Sequence, residues 1–299
     1  MPAHSIETIS NPPDSDYKLD AKTFSYATMT DPFARRLLIR TIEKLSGQLK
    51  IWKLYRDYQY ESQHSDAHGD GSSDESFWKA ACRKLDITLE YSRDQLDKIP
   101  KEGPLLVVAN HPYGVLDGLI LCHIMHKVRP DFKVLTNSVL TRSPEVKDNL
   151  LPVDFSGTQD ALQTNLYTRK EARNTLKNGG AIAVFPAGGV STIESFSDKM
   201  AMDAAWQPFI GQLIRQNKPA VVPIFFEGQN SRLFQLASLI SATLRLSLFF
   251  KELSDQIGSK ISFKIGDPMA YEDLSYTDDV TAMMEFLRQH TYALGGHDI

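Results

Sequence analysis

Hydrophobic positions change their period along this chain. Phe33, Leu37, Leu38, Ile42, Leu45, Leu49, Trp52 and Tyr55 recur at three- and four-residue steps. That spacing predicts a helix over residues 31–58, with Asp31 and Pro32 as its start signal and Gly47 as a point where it can break. From residue 77 onward, short apolar runs at 105–109, 132–135, 181–185, 220–226 and 261–265 read as strands. Helical patterns at 116–127, 160–177, 206–216 and 231–253 lie between them, and another follows at 277–294. Pro223 inside its run predicts an edge strand or a bulge. Such alternation predicts an α/β domain with a largely parallel or mixed central sheet flanked by helices, preceded by an amphipathic N-terminal helix. In sheets of that kind, sites gather outside the carboxyl ends of the strands.

The polar stretches set the remaining organisation. Residues 1–30, with Pro12 and Pro13, read as a disordered arm; they lack the basic-then-apolar pattern of a signal peptide. Residues 31–60 form the basic amphipathic helix. Residues 61–76 are rich in Ser, Gly and Asp and read as a flexible linker, and 77–299 form one domain. His64 and His68 fall in the linker, where no apolar frame would hold a metal, and no metal is expected.

Charge refines the picture only modestly. A formal net charge of -4 argues against a nucleic-acid partner. Cys82 and Cys122 are far apart and form no CxxC pair, which favours a reducing compartment over a disulfide scaffold. No apolar run is long enough to span a bilayer, so membrane contact is expected to be peripheral if it occurs. The polar positions of the first helix are mostly basic: Arg35, Arg36, Arg40, Lys44, Lys50, Lys53 and Arg56, against Glu43 and Asp57. Two readings stay open: an interfacial helix on anionic lipid, or a helix packed on its own domain with a solvated basic face.

Three strand ends carry candidate chemistry. The run at 105–109 leads into Asn110-His111-Pro112-Tyr113-Gly114-Val115-Leu116-Asp117-Gly118. A neutral imidazole accepts a proton near pH 7, and a carboxylate on its other nitrogen fixes the tautomer. Asp117 also stands near the start of a helix, where capping is the competing role. No serine nucleophile is built into this block, so an attacking hydroxyl would belong to a substrate. His123 and His126, further along that helix, read as structural. The run at 181–185 leads into Pro186-Ala187-Gly188-Gly189-Val190-Ser191-Thr192. Two glycines let backbone N–H groups converge on an anion, and Ser191 and Thr192 add hydroxyls; a plain turn is the alternative. The run at 220–226 leads toward Arg232, a candidate partner for a phosphate or carboxylate, or equally a surface arginine.

The order of these blocks resembles the glycerolipid (lysophospholipid) acyltransferase family over roughly residues 77–269. The basic lead-in helix is similar to that of the bacterial lyso-ornithine-lipid and haemolysin-like branch. The resemblance implies an acyltransferase domain over 77–299. It would be an O-acyltransferase of membrane lipid biosynthesis, moving a fatty acyl group from acyl-CoA or acyl-carrier protein to the hydroxyl of a lyso-lipid. No cofactor is implied beyond that co-substrate. The expected location is cytoplasmic, on the inner face of the cytoplasmic membrane. By resemblance His111 is the base and Asp117 its partner, and Gly188, Gly189, Ser191 and Thr192 lie against the acceptor head group. Asn110, Gly114, Arg142, Pro186 and Arg232 complete the expected substrate contacts.

Two departures qualify the match. Five residues separate His111 from Asp117 where the common block has four, and Gly114 is the residue able to absorb the extra one. The common Phe-Pro-Glu-Gly-Thr-Arg loop here has Ala187 for its glutamate and Val190 for its arginine. A phosphate then lacks its obvious charged partner, with Arg142 and Arg232 as substitutes, and an amino-acid-based lyso-lipid becomes an alternative acceptor. A lipid-binding protein without catalysis and a thioester hydrolase are the competing functions; the chain has no Gly-x-Ser-x-Gly elbow.

Overall fold

The computed structural model describes Ser25, Ala27 and residues 32–64, 75–137, 145–154 and 158–299. Seven strands form one sheet: β1 (Thr88–Glu90), β2 (Leu105–Ala109), β3 (Lys133–Asn137), β4 (Leu150–Val153), β5 (Ala181–Val184), β6 (Ala220–Phe226) and β7 (Lys260–Ile265). Their order is β1-β7-β6-β2-β5-β3-β4. Every neighbouring pair is parallel except β6 with β7. The mixed, largely parallel sheet expected from the alternation is therefore the sheet observed.

Strands β2 and β5 are buried along their whole length, as a sheet covered on both faces requires. Side chains alternate across it. Leu105, Val107 and Ala109 join Val222, Ile224 and Phe226 on one face, beneath α3 (Phe77–Lys84) and α5 (Val115–Val128). Leu106, Val108, Ile182 and Val184 face the other way. There they meet α6 (Gln159–Lys177), α7 (Pro208–Asn217) and α11 (Val280–Leu294) through Leu176, Ile214 and Leu287. At the amino end of the sheet the buried Arg129 guanidinium clasps the Gly103 and Gly179 carbonyls at 2.9 and 2.7 Å, and it also pairs with Asp131.

Pro223 corrects the edge-strand expectation, because β6 lies between β7 and β2. The ladder with β7 begins only at Ile224 opposite Ile265. Pro223 stands where that ladder stops and contributes its carbonyl, which accepts the Gly266 N–H. A proline is tolerated inside the sheet at such a point because no ladder donor is needed there.

The lead-in helix is two helices, α1 (Phe33–Leu45) and α2 (Gln48–His64), broken at Gly47, whose φ is +112°. Helix α2 continues into the segment read as linker, where Glu61 pairs with Arg83 and Lys84 of α3. Ser25 and Ala27 of the expected arm are buried, and the Ser25 hydroxyl donates to Glu43 of α1 at 2.6 Å. The predicted helix over 231–253 is three: α8 (Arg232–Ile240), α9 (Ala242–Ser247) and α10 (Phe249–Asp255). A short α4 (Arg93–Asp97) precedes β2. Among the described residues, no helix is long and apolar enough to cross a membrane.

Candidate active site

The carboxyl ends of β2, β5 and β6 bring the three motif blocks together. Beyond β2 the chain turns at Gly114, whose φ of +81° suits glycine, and enters α5. This turn aims two side chains at one another: His111 Nδ1 lies 2.9 Å from Asp117 Oδ1. It is a close polar contact and not a formed hydrogen bond, and neither atom has a hydrogen-bond partner among the described residues. Asp117 is fully buried, while the His111 ring stays 16 % exposed. The other Asp117 oxygen accepts the Tyr113 and Gly114 N–H groups, at 2.8 and 3.3 Å. Asp117 thus caps α5 with one oxygen and faces the histidine with the other, so the two roles weighed from sequence coexist.

The second block packs on the first. The His111 ring stacks on Phe185, just past β5, with centroids 3.9 Å apart. The Ser191 N–H donates to the His111 carbonyl at 2.8 Å. A Cβ at Gly114 would lie 2.8 Å from Phe249 and 3.1 Å from Val190, so the close approach of these blocks requires glycine there. Ser191 is buried and gives its hydroxyl to Asp203 at 2.6 Å, which leaves it committed rather than free to attack a substrate. Gly188 has a φ of +74°, its N–H donates to the Phe185 carbonyl, and both loop glycines are exposed. The buried Pro186 accepts the Gln207 N–H, and Thr192 bridges to Met202.

The remaining candidates sit differently. Asn110 is buried, with its amide spanning to β6: Nδ2 donates to the Phe226 carbonyl at 2.9 Å, and Oδ1 accepts the Phe226 N–H at 2.7 Å. Both ends of the side chain are engaged in tying strand ends together. Arg232 opens α8 and donates to the Asp198 carbonyl at 2.7 Å. Arg142 lies outside the described residues.

Three residues near the site had no role assigned from sequence. Tyr113 donates its hydroxyl to the Glu227 carbonyl at 2.8 Å and packs so closely over Gly228 that a Cβ there would meet the oxygen at 2.0 Å. Burial pushes the Tyr113 phenol up to about 12, with Asp117 and Glu227 adding to it. Phe185 opens the Phe-Pro-Ala-Gly block, but nothing in the sequence marks its contact with the histidine ring. Asp203 stands in Met202-Asp203-Ala204, where neither periodicity nor a motif marks it.

The arrangement holds one partly exposed imidazole against a buried carboxylate. Asp117 lies on the Nδ1 side of the ring, so a neutral His111 with its proton on that side leaves Nε2 as the proton acceptor. The serine packed beside it, Ser191, has its hydroxyl committed to Asp203.

Residues 71–297 match the model of a family described as acyltransferase. The chain belongs to that acyltransferase family. Similar proteins include the lyso-glycine lipid O-acyltransferase of Phocaeicola vulgatus, 25% identical over 226 residues, covering 73% of this chain and 77% of that protein. The Bacteroides thetaiotaomicron protein of the same description is 24% identical over 226 residues, covering 73% and 79%. The solved structure of the 1-acyl-sn-glycerophosphate (LPA) acyltransferase PlsC from Thermotoga maritima is 17% identical with a TM-score of 0.44, over 88% of this chain and 96% of that one. This acyltransferase places its three motif blocks at the carboxyl ends of β2, β5 and β6.

Proposed function

We propose that this acyltransferase moves a fatty acyl group from a thioester to the hydroxyl of an amino-acid-based lyso-lipid, with His111 as general base. The observation that carries the reading is the His111–Asp117 pair, 2.9 Å apart at the end of β2, beside a serine whose hydroxyl is already committed to Asp203. His111 Nε2 takes the proton of the acceptor hydroxyl as its oxygen attacks the thioester carbonyl. Collapse of the tetrahedral intermediate breaks the C–S bond, and the imidazolium returns its proton to the leaving thiolate. Asp117 holds the ring and stabilises its charged form. A positioned base contributes about 10²–10⁴-fold.

The choice of acceptor rests on Ala187 and Val190, which leave residues 185–192 without a charged side chain for a phosphate monoester. The lyso-glycine lipid acceptors named for two of its relatives favour the same class. The donor is acyl-CoA or acyl-carrier protein.

The acceptor is expected to be met at a lipid surface. Phe33, Leu37, Leu38 and Leu45 of α1 are exposed on a helix that packs through Ile39 and Glu43. Burying such side chains contributes roughly 1.5–3 kcal/mol each, so leaving four of them outside the core favours an apolar phase or partner for this face.

The test is purified protein with long-chain acyl-CoA or acyl-carrier protein, a panel of lyso-glycine, lyso-ornithine and lysophosphatidate acceptors, and products read by mass spectrometry. Transfer to an amino-acid lyso-lipid that is lost in His111→Ala is the expected result. A preference for lysophosphatidate would overturn the acceptor. Activity surviving His111→Ala would overturn the mechanism. Absence of transfer to every acceptor would favour a binding protein.

A further inference from the structure

Asp203 lies 92 residues from His111 in sequence, yet its Oδ1 accepts the His111 backbone N–H at 3.1 Å. The same oxygen accepts the Ser191 hydroxyl at 2.6 Å, and the Ser191 N–H returns to the His111 carbonyl at 2.8 Å. These three hydrogen bonds close a ring that grips the His111 residue at both its N–H and its C=O. The other Asp203 oxygen accepts the Trp206 indole N–H at 2.9 Å. The backbone of Asp203 is itself pinned by α11: its N–H donates to the Tyr292 hydroxyl at 2.7 Å, and its carbonyl accepts from Arg288 at 2.9 Å. Asp203 is 2 % exposed.

We propose that Asp203 is a positioning residue for His111, locking the base's backbone to the loop after β5 so that its ring stays stacked on Phe185 and aimed at Asp117. Asp117 orients the imidazole; Asp203 fixes the backbone that carries it. The two carboxylates approach the same residue from different elements, one from α5 and one from the loop before α7. The proposal rests on the reading of His111 as general base.

The arrangement has the features that such a role requires. Burial pushes the Asp203 carboxyl above its ordinary range, while the donations from Ser191, Trp206 and the His111 N–H pull it back toward the carboxylate. Three donors aimed at one buried carboxylate make an acceptor hub. A positioned base is sensitive to such a grip, since a misplacement of about 1 Å can lower the rate by about 10²-fold.

The experiment compares Asp203→Ala, Ser191→Ala, Trp206→Phe and His111→Ala in the full chain, each with kcat and KM for both substrates and a denaturation midpoint. Asp203→Ala is expected to lower kcat by about 10²-fold while moving either KM by less than roughly threefold. Ser191→Ala, which opens the ring at one bond, is expected to lower kcat roughly tenfold. Trp206→Phe removes a hydrogen bond from the same carboxylate without touching the His111 grip, and is expected to lower stability with kcat nearly intact. A folded Asp203→Ala whose kcat loss is no larger than that of Trp206→Phe overturns the proposal. If Asp203→Ala does not fold, Ser191→Ala decides: unchanged kcat, or a loss confined to KM, overturns it. Activity surviving His111→Ala instead defeats the general-base reading, so the two failures are told apart.

Discussion

Asp117 Oδ1 stands 2.9 Å from His111 Nδ1, while Oδ2 of the same carboxylate accepts the Tyr113 N–H at 2.8 Å. The two oxygens can be separated by mutation. Asp117→Asn keeps an oxygen for the loop N–H groups but presents an amide N–H to His111 Nδ1, which then has to accept, moving the ring proton to Nε2 and removing the base. Activity should fall about 10²–10⁴-fold with little change in stability. Asp117→Ala should lose activity equally and add about 1 kcal/mol of destabilisation from the lost cap. Denaturant midpoints and kcat for both variants check this; equal stability loss in the two would refute the division of labour.

The extra residue between His111 and Asp117 is absorbed at Gly114, and the fold leaves no room for a side chain there. Gly114→Ala meets both a φ of +81° and the Phe249 ring at 2.8 Å. The backbone term alone should destabilise by about 1–2 kcal/mol, and the displaced turn should lower kcat as well. Adding Phe249→Leu relieves the contact but not the backbone strain. The double variant should therefore be less destabilised than the two single effects added together, a coupling that a thermodynamic cycle measures.

Much of this was legible in the sequence because the information was local. The His111 and Asp117 side chains are six residues apart across one turn, and the central strands are unbroken apolar runs. What escaped was short or distant. Strands β1 and β4 have three and four residues, too few to show a period. The 231–253 helix breaks at Ser241, which is extended at φ -163° and caps α9 with its own hydroxyl; no glycine or proline announces it. Helix α7 begins at Pro208 rather than Trp206, because proline suits a first helical position and Trp206 is held by Asp203. Asp203 itself becomes visible only when the loop after β5 folds back on the end of β2.

Helix α1 offers a direct test of the lipid-surface proposal. Leu45 is 83 % exposed and Leu38 46 %, so replacing both with glutamate should leave circular dichroism and the melting temperature nearly unchanged. Binding to vesicles containing anionic lipid should drop roughly tenfold or more, because two apolar contacts are lost and two negative charges are gained. Sedimentation of protein with such vesicles reads the effect. Unchanged binding would remove α1 as the anchor.

His123 predicts how the fold responds to acid, independently of catalysis. It lies in α5, on the covered face, 7 % exposed. Burial lowers its pKa from 6.5 to about 4, with Lys127, His126 and Lys79 pushing the same way and Glu75 opposing them. Because the folded value is depressed, the unfolded chain binds this proton more readily between pH 4 and 6.5. The contribution to stability is therefore present above pH 6.5 and is lost as pH falls toward 4. His123→Leu replaces the buried ring with an apolar side chain and should flatten that part of the profile. Denaturant midpoints of the two proteins across this range should diverge as the pH changes; parallel curves would show that His123 does not set the acid response.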